Sequence, residues 1–200
     1  TRETVELPPP DQIHIIDRIA PSMPPEWYIP YEDNSRGVPP MAAFGDGYRY
    51  HVTGLVHDVR GFPTQRPDEI DAFMRRLFRK ITQGFNEIQI TKEFFLDDAK
   101  VAVVAYGSVA RSARRAVLDA RKKGVKAGLL QLVTLFPFPR LKMEEVLRQC
   151  RGVLVPELNM GQISREVHRV NQGKCQVRKL NRLDGGLITP EQILIEILKM

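Results

Sequence analysis

Residues 101–111, VAVVAYGSVAR, constrain this chain more than any other stretch, because they read as a short apolar strand running through Gly107-Ser108 into a helix. Val101, Val103 and Val104, with two alanines, place apolar side chains on both faces of the strand, which suits a sheet covered on both sides. Gly107 allows a sharp turn, and Ser108 is placed to cap the helix that follows. An α/β domain opens in this way, yet here it opens only at residue 101, so the first half of the chain has a different character.

The pattern downstream is regular. Strand 101–105 leads to a helix over 109–123 whose small apolar face is Ala113, Ala116, Val117 and Ala120, closed by Gly124. Strand 127–133 is followed by the turn Phe136-Pro137-Phe138-Pro139 and a helix over 142–149 that turns Met143, Val146 and Leu147 inward. Strand 152–155 ends at Pro156-Glu157-Leu158-Asn159, and Gly161 opens a helix with Ile163, Val167 and Val170 on one side. After strand 175–180 and the turn Asp184-Gly185-Gly186, Thr189-Pro190-Glu191-Gln192 starts the last helix with a cap, a proline at the first position and Gln three residues after the cap. Ile193, Leu194, Ile197 and Leu198 dock that helix. This alternation predicts a three-layer, Rossmann-like α/β domain with a mainly parallel sheet covered on both faces.

The first half differs. Nine of the fifteen prolines fall within the first forty residues, which favours an extended path over a surface. Trp27, Tyr28, Tyr31, Phe44, Tyr48 and Tyr50 would be unusual in a free linker, since disordered segments are poor in aromatic residues. The expectation is an arm ordered where it lies on another surface, with a short strand within 48–56. Residues 67–82 predict an amphipathic helix whose buried stripe is Ile70, Phe73, Met74, Leu77, Phe78 and Ile81. Pro67, Asp68 and Glu69 suit its first turn, and Gly84 its end. Three segments are therefore expected: 1–66 an extended Pro/Gly/aromatic-rich linker or arm, 67–99 an amphipathic helix and connection, and 100–200 the α/β domain.

The formal charge is +6, with Arg111, Arg114, Arg115, Arg121, Lys122 and Lys123 on one predicted helix and Arg75, Arg76, Arg79 and Lys80 on another. No aromatic residues are interleaved with them for base stacking and no nucleic-acid motif is present, so the charge reads as a solvated or protein-facing surface. Cys150 and Cys175 have neither metal-type spacing nor a disulfide framework, which fits a reduced, cytoplasmic setting. No apolar run approaches the roughly 20 residues that span a bilayer, so no membrane partner is expected. Thr1 in place of Met, ahead of a linker-like segment, reads as a chain cut from something longer.

Gly45-Asp46-Gly47 resembles the opening of a thiamine-diphosphate and magnesium motif, but the Asn-Asn that should follow occurs nowhere, and a dinucleotide fingerprint fails because residue 50 is Tyr. A glycine turn accounts for it. His51 and His57 lie six apart, and His14 and His168 are remote, so no zinc-type set is assembled. Two loops remain as candidate ligand or interface sites, because open α/β sheets bind ligands beyond the carboxyl ends of their strands. One is Tyr106, Gly107 and Ser108, where amides at a helix start can hold an anion. The other places Glu157, Asn159, Gly161 and Gln162 at the same edge. Helix capping is the competing account of both loops: Ser108 as a cap, and Glu157 on nearby backbone or a helix N-terminus. No residue is assigned a catalytic or metal-binding role.

In order along the chain, VAVVAYGS, a helix ending ARKKG, LVTLFPFP and VLVPELNMGQ resemble the transketolase-C-terminal-like domain of thiamine-diphosphate enzymes. Within that superfamily, GDGYRYHVTGLVHDVRGFPT, RRLFRKI and KLNRLDGGLITPEQI make residues 44–200 similar to the α subunit of 2-oxoacid:ferredoxin oxidoreductases, in the 2-oxoglutarate branch. The resemblance implies a linker plus the last domain of that subunit, with the pyrimidine-binding domain before it. It also implies a β subunit holding thiamine diphosphate, magnesium and an iron–sulfur cluster (4Fe-4S), with coenzyme A and ferredoxin as partners of the complex. The implied reaction is oxidative decarboxylation of a 2-oxoacid, with this segment binding no cofactor and serving subunit packing and active-site scaffolding. Two other readings stay open: the terminal domain of another thiamine enzyme such as a dehydrogenase E1 β subunit, and a stand-alone anion- or nucleotide-binding module at Gly107-Ser108.

Overall fold

A computed structural model describes residues 6–13, 15, 17–173 and 175–200, in two compact units, Thr1–Gln83 and Gly84–Met200. Thr1 and His14, named above, lie outside the described residues.

In the first unit the backbone is mostly irregular, with single 3-10 turns at Pro10–Gln12 and Pro25–Trp27 and one long helix, α1, at Pro67–Gln83. The strand expected within 48–56 does not form; the pairing nearby is an isolated antiparallel bridge between His57 and Pro63. Tyrosine hydroxyls tie the arm together instead. Tyr28 donates to the Pro40 carbonyl at 3.1 Å and accepts from the Ala42 amide at 3.2 Å. Tyr50 donates to the Ala42 carbonyl at 3.1 Å and Tyr48 to that of Met23 at 2.7 Å, with both rings edge-on to Tyr28.

Helix α1 departs from its expected stripe. Met74 and Phe78 are exposed, Ile70, Phe73, Leu77 and Ile81 are half-buried, and the one buried side chain is Arg76. The cause lies in what covers the helix. A loop, not a sheet, lies on it: Arg79 bonds to Asp33 and to the Asn34 carbonyl, and Gly37 sits against the helix backbone at φ +68°. A Cβ on Gly37 would stand 3.3 Å from the Arg76 carbonyl oxygen, a tight approach at a positive φ that favours glycine.

The second unit runs α2 (Phe85–Ile88), β1 (Thr91–Phe94), β2 (Val101–Tyr106), α3 (Val109–Lys122), β3 (Ala127–Leu132), α4 (Arg140–Gln149), β4 (Gly152–Glu157), α5 (Gln162–Asn171), β5 (Gln176–Asn181) and α6 (Pro190–Leu198). The five strands form one sheet in the order β1-β3-β2-β4-β5, parallel except for β1, which pairs antiparallel with β3. One face packs Val101, Val103 and Ala105 against α3 and α6; the other packs Ala102, Val104, Val153 and Val155 against α4 and α5. The three-layer α/β expectation holds. Strand β1 was not anticipated: its residues TKEF show no apolar run, since Lys92 and Glu93 stay exposed at the sheet edge. Thr189 Oγ1 accepts from the Gln192 amide and Gln192 Oε1 accepts from the Thr189 amide, completing the expected capping box of α6. Ile193 and Ile197 dock α6 as expected, whereas Leu198 faces solvent.

Candidate functional site

The chain leaves β2 for β3 on one side and returns to β4 on the other, so the gap between the carboxyl ends of β2 and β4 is the switch point at which such sheets open a crevice. Here the two strands part. Pairing between them runs from Val101–Gly152 to Val103–Leu154 and stops, while β2 stays paired with β3 to Tyr106 and β4 with β5 to Glu157. Pro156, which has no N–H, brings no donor to the ladder at that point.

Side chains close the gap. Glu157, 1% exposed, accepts from the Ile163 amide at 2.9 Å and the Tyr106 hydroxyl at 3.2 Å through Oε1, and from the Ser164 amide at 3.0 Å through Oε2. Asn159 Oδ1 accepts from the Gly161 and Gln162 amides at 2.7 and 3.0 Å, and its Nδ2 donates to the Tyr106 hydroxyl at 2.6 Å. Four successive amides at the start of α5, otherwise without helical partners, are thus satisfied by two side chains. The negative carboxylate also lies at the positive end of the helix. Gly161, at φ +91°, admits this geometry; a Cβ there would stand 2.5 Å from Ser164 Oγ. Burial first, and then the Glu157 charge, raise the Tyr106 phenol above its ordinary pKa, because ionisation would set two negative charges side by side.

The structure therefore brings Tyr106 together with Glu157 and Asn159. Gly107, Ser108 and Gln162 remain exposed around that network. Ser108 does not cap α3 with its side chain: it has helical backbone angles (φ −64°, ψ −30°), whereas a capping serine needs an extended backbone. The entry is instead a pair of backbone bonds, from the Ala110 amide to the Gly107 carbonyl and from the Arg111 amide to the Ser108 carbonyl. Sequence reasoning missed Asn181, whose Nδ2 holds the Asn159 carbonyl at 2.6 Å, and Ser164, buried beneath the turn. Neither carries a sequence signal, since each acts through its position on a neighbouring element.

Among the described residues no cluster of His, Cys, Asp and Glu is arranged to hold a metal. His57 is a buried ring 4.0 Å from Tyr31, its Nδ1 2.8 Å from the Asp58 carbonyl oxygen, and His51 stacks on Phe62. Gly45 and Gly47 take positive φ in an exposed turn, with Asp46 accepting from the Ala43 amide. Both cysteines are free thiols; Cys150 is buried, which pushes its pKa up to about 11. No described helix is long and apolar enough to cross a membrane.

Comparison with known proteins then places these features. The family described as pyruvate:ferredoxin oxidoreductase core domain II matches residues 99–193. The 2-oxoglutarate synthase subunit KorA of Methanothermobacter thermautotrophicus is 40% identical over 200 residues, covering 100% of this chain and 53% of that protein. Ketoisovalerate oxidoreductase subunit VorB of the same organism is 35% identical over 131 residues, 65% of this chain and 36% of that one. The chain spans about half the length of the KorA relatives it matches. Among solved structures, a 2-oxoglutarate:ferredoxin oxidoreductase from Magnetococcus marinus with 2-oxoglutarate, coenzyme A and succinyl-CoA bound superposes with a TM-score of 0.79. It shares 24% identity over 96% of this chain and 34% of its own, a likeness of fold.

Proposed function

We propose that this chain, 40% identical over its whole length to a KorA subunit, belongs to the 2-oxoacid:ferredoxin oxidoreductase α-subunit family and serves a 2-oxoglutarate:ferredoxin oxidoreductase as a packing and scaffolding part of that subunit. The reaction proposed for the whole enzyme converts a 2-oxoacid and coenzyme A into acyl-CoA and CO2, the electrons passing to ferredoxin. Thiamine diphosphate, with its magnesium, supplies the carbanion chemistry of such a reaction. In this reading that cofactor and the iron–sulfur cluster belong to the β subunit, while residues 1–66 form an arm, 67–99 a helix and connection, and 100–200 the terminal domain. A β subunit and the N-terminal part of the α subunit are the partners, and the cytoplasm is the compartment.

The observation that carries the scaffolding role is the filled switch point. Where an open α/β sheet usually receives a ligand, Glu157 and Asn159 spend their acceptor oxygens on the first amides of α5, and Tyr106 donates to Glu157 and accepts from Asn159. The test is to assemble the full-length α subunit with β and follow coenzyme-A-dependent ferredoxin reduction by 2-oxoglutarate. Asn159→Ala should lower the yield of assembled enzyme while the surviving enzyme keeps its KM for 2-oxoglutarate and coenzyme A. A raised KM at normal assembly would move the site into substrate binding, and an assembled complex that turns over no 2-oxoacid would overturn the reading.

A further inference from the structure

The first unit holds a cavity of about 580 Å3, within the range that receives small ligands, and nothing above assigns it a role. One part of its lining is cationic, with Arg18, Arg76 and Lys80, against a single acid, Asp17. Arg76 is the unusual member. It is 8% exposed, and among the described residues its guanidinium donates to the Gly37 carbonyl oxygen, at 3.4 Å, and lies 5.6 Å from the Phe73 ring centroid. Among the described residues no carboxylate forms an ion pair with it: Asp33 bonds to Arg79, a contact that lowers its pKa with help from the Arg76 charge, and Glu69 bonds to Thr64 and Arg66. A buried cation with no carboxylate at bonding distance is costly, and an anion entering the cavity relieves that cost. Among the described residues Arg18 donates to the Met41 thioether and Lys80 forms no ion pair.

The rest of the lining is apolar or aromatic. Ile19, Met41 and Leu77 offer aliphatic surface, and a wall of Tyr31, His57 and Phe73, with successive ring centroids 4.0 and 4.8 Å apart and planes inclined at 44° and 76°, supplies aromatic contact. Tyr31, His57, Phe73 and Arg76 also line a second cavity of about 210 Å3, whose other lining includes Asp33, Asp58 and Glu69, so Arg76 borders both spaces and the larger one is the less acidic. Three cations to one acid favour a dianion over a monoanion, and arginine suits the forked geometry of phosphate oxygens. From this we propose that the cavity beside Arg76 binds a small organic phosphate, its phosphoryl group among Arg18, Arg76 and Lys80 and its apolar body along the Tyr31-His57-Phe73 wall.

Calorimetric titration of the 200-residue chain with phenyl phosphate tests this, with inorganic phosphate and benzoate as comparison arms. Phenyl phosphate should saturate one site with a Kd of about 1 mM or below, and inorganic phosphate and benzoate should each bind at least about tenfold more weakly. Arg76→Met should weaken phenyl phosphate by about tenfold or more. The double variant Arg18→Gln/Lys80→Gln, altered at side chains that are not buried, should do the same and decides the matter if Arg76→Met fails to fold. No saturable binding of phenyl phosphate by the unaltered chain would overturn the proposal, as would unchanged binding by the double variant. Benzoate binding as tightly would refute the choice of phosphate, and inorganic phosphate binding as tightly would refute the role of the apolar wall.

Discussion

The hydroxyl of Tyr106, at the end of β2, donates to the carboxylate of Glu157, at the end of β4, across the gap where backbone pairing between those strands has ceased. The same hydroxyl accepts from Asn159, so one oxygen joins two residues that already hold the start of α5.

Glu157→Gln keeps the shape of the side chain but turns one acceptor oxygen into a donor facing an amide or the Tyr106 hydroxyl. With a buried amide unpaired and the charge at the helix end removed, stability should fall by about 2 kcal/mol. Urea denaturation of the chain measures it, and an unshifted midpoint would contradict the network described.

Tyr106→Phe leaves Asn159 Nδ2 and one Glu157 lone pair without a partner, a loss of about 1 kcal/mol at neutral pH. The difference should depend on alkali. The folded phenol has a raised pKa, so its contribution is complete below the unfolded value near 10 and is lost as pH rises through the higher folded value. Denaturation curves taken through that range should show the advantage of tyrosine over phenylalanine shrinking; a pH-independent difference would argue against the contact with Glu157.

Thr189→Ala removes the acceptor for the Gln192 amide, while the backbone amide of residue 189 still has Gln192 Oε1 as its acceptor. A loss of about 1 kcal/mol is expected, and Thr189→Ser should recover most of it. Equal stabilities for the alanine and serine variants would show that the hydroxyl contributes nothing.

The thiols should separate by reactivity. Burial raises both, Cys150 to about 11 while its sulfur donates to the Ala99 carbonyl; Cys175 is only half-buried. Mass-spectrometric mapping of iodoacetamide adducts at neutral pH should find Cys175 modified first and Cys150 modified only after denaturant is added. Equal rates would place Cys150 nearer the surface than described.

Much of the α/β unit was legible because its signals are local. The apolar strand at 101, the small-residue face of α3 and the Thr189 box each lie within one element. Strand β1 was not, since a four-residue edge strand with exposed Lys92 and Glu93 has no period that differs from a loop. Periodicity also put Phe78 inward and Arg76 outward on α1, because it counts side chains on a face and cannot see what covers that face. At the candidate site the residue types were readable and their purpose was not. Tyr106 and Glu157 stand 51 positions apart, and only the register of two strands brings them together.

The two outermost strands give the sheet a further property. β1 runs against the direction of β3, its neighbour, and keeps Lys92 and Glu93 in solvent, Glu93 being held by Lys142; β5, at the opposite margin, carries Arg178 and Lys179. Charged residues on short terminal strands discourage another chain from adding itself to the ladder. Growth by strand addition is thereby disfavoured at both margins, and the surfaces left for association are helices and loops, where recognition is a matter of side-chain shape and charge.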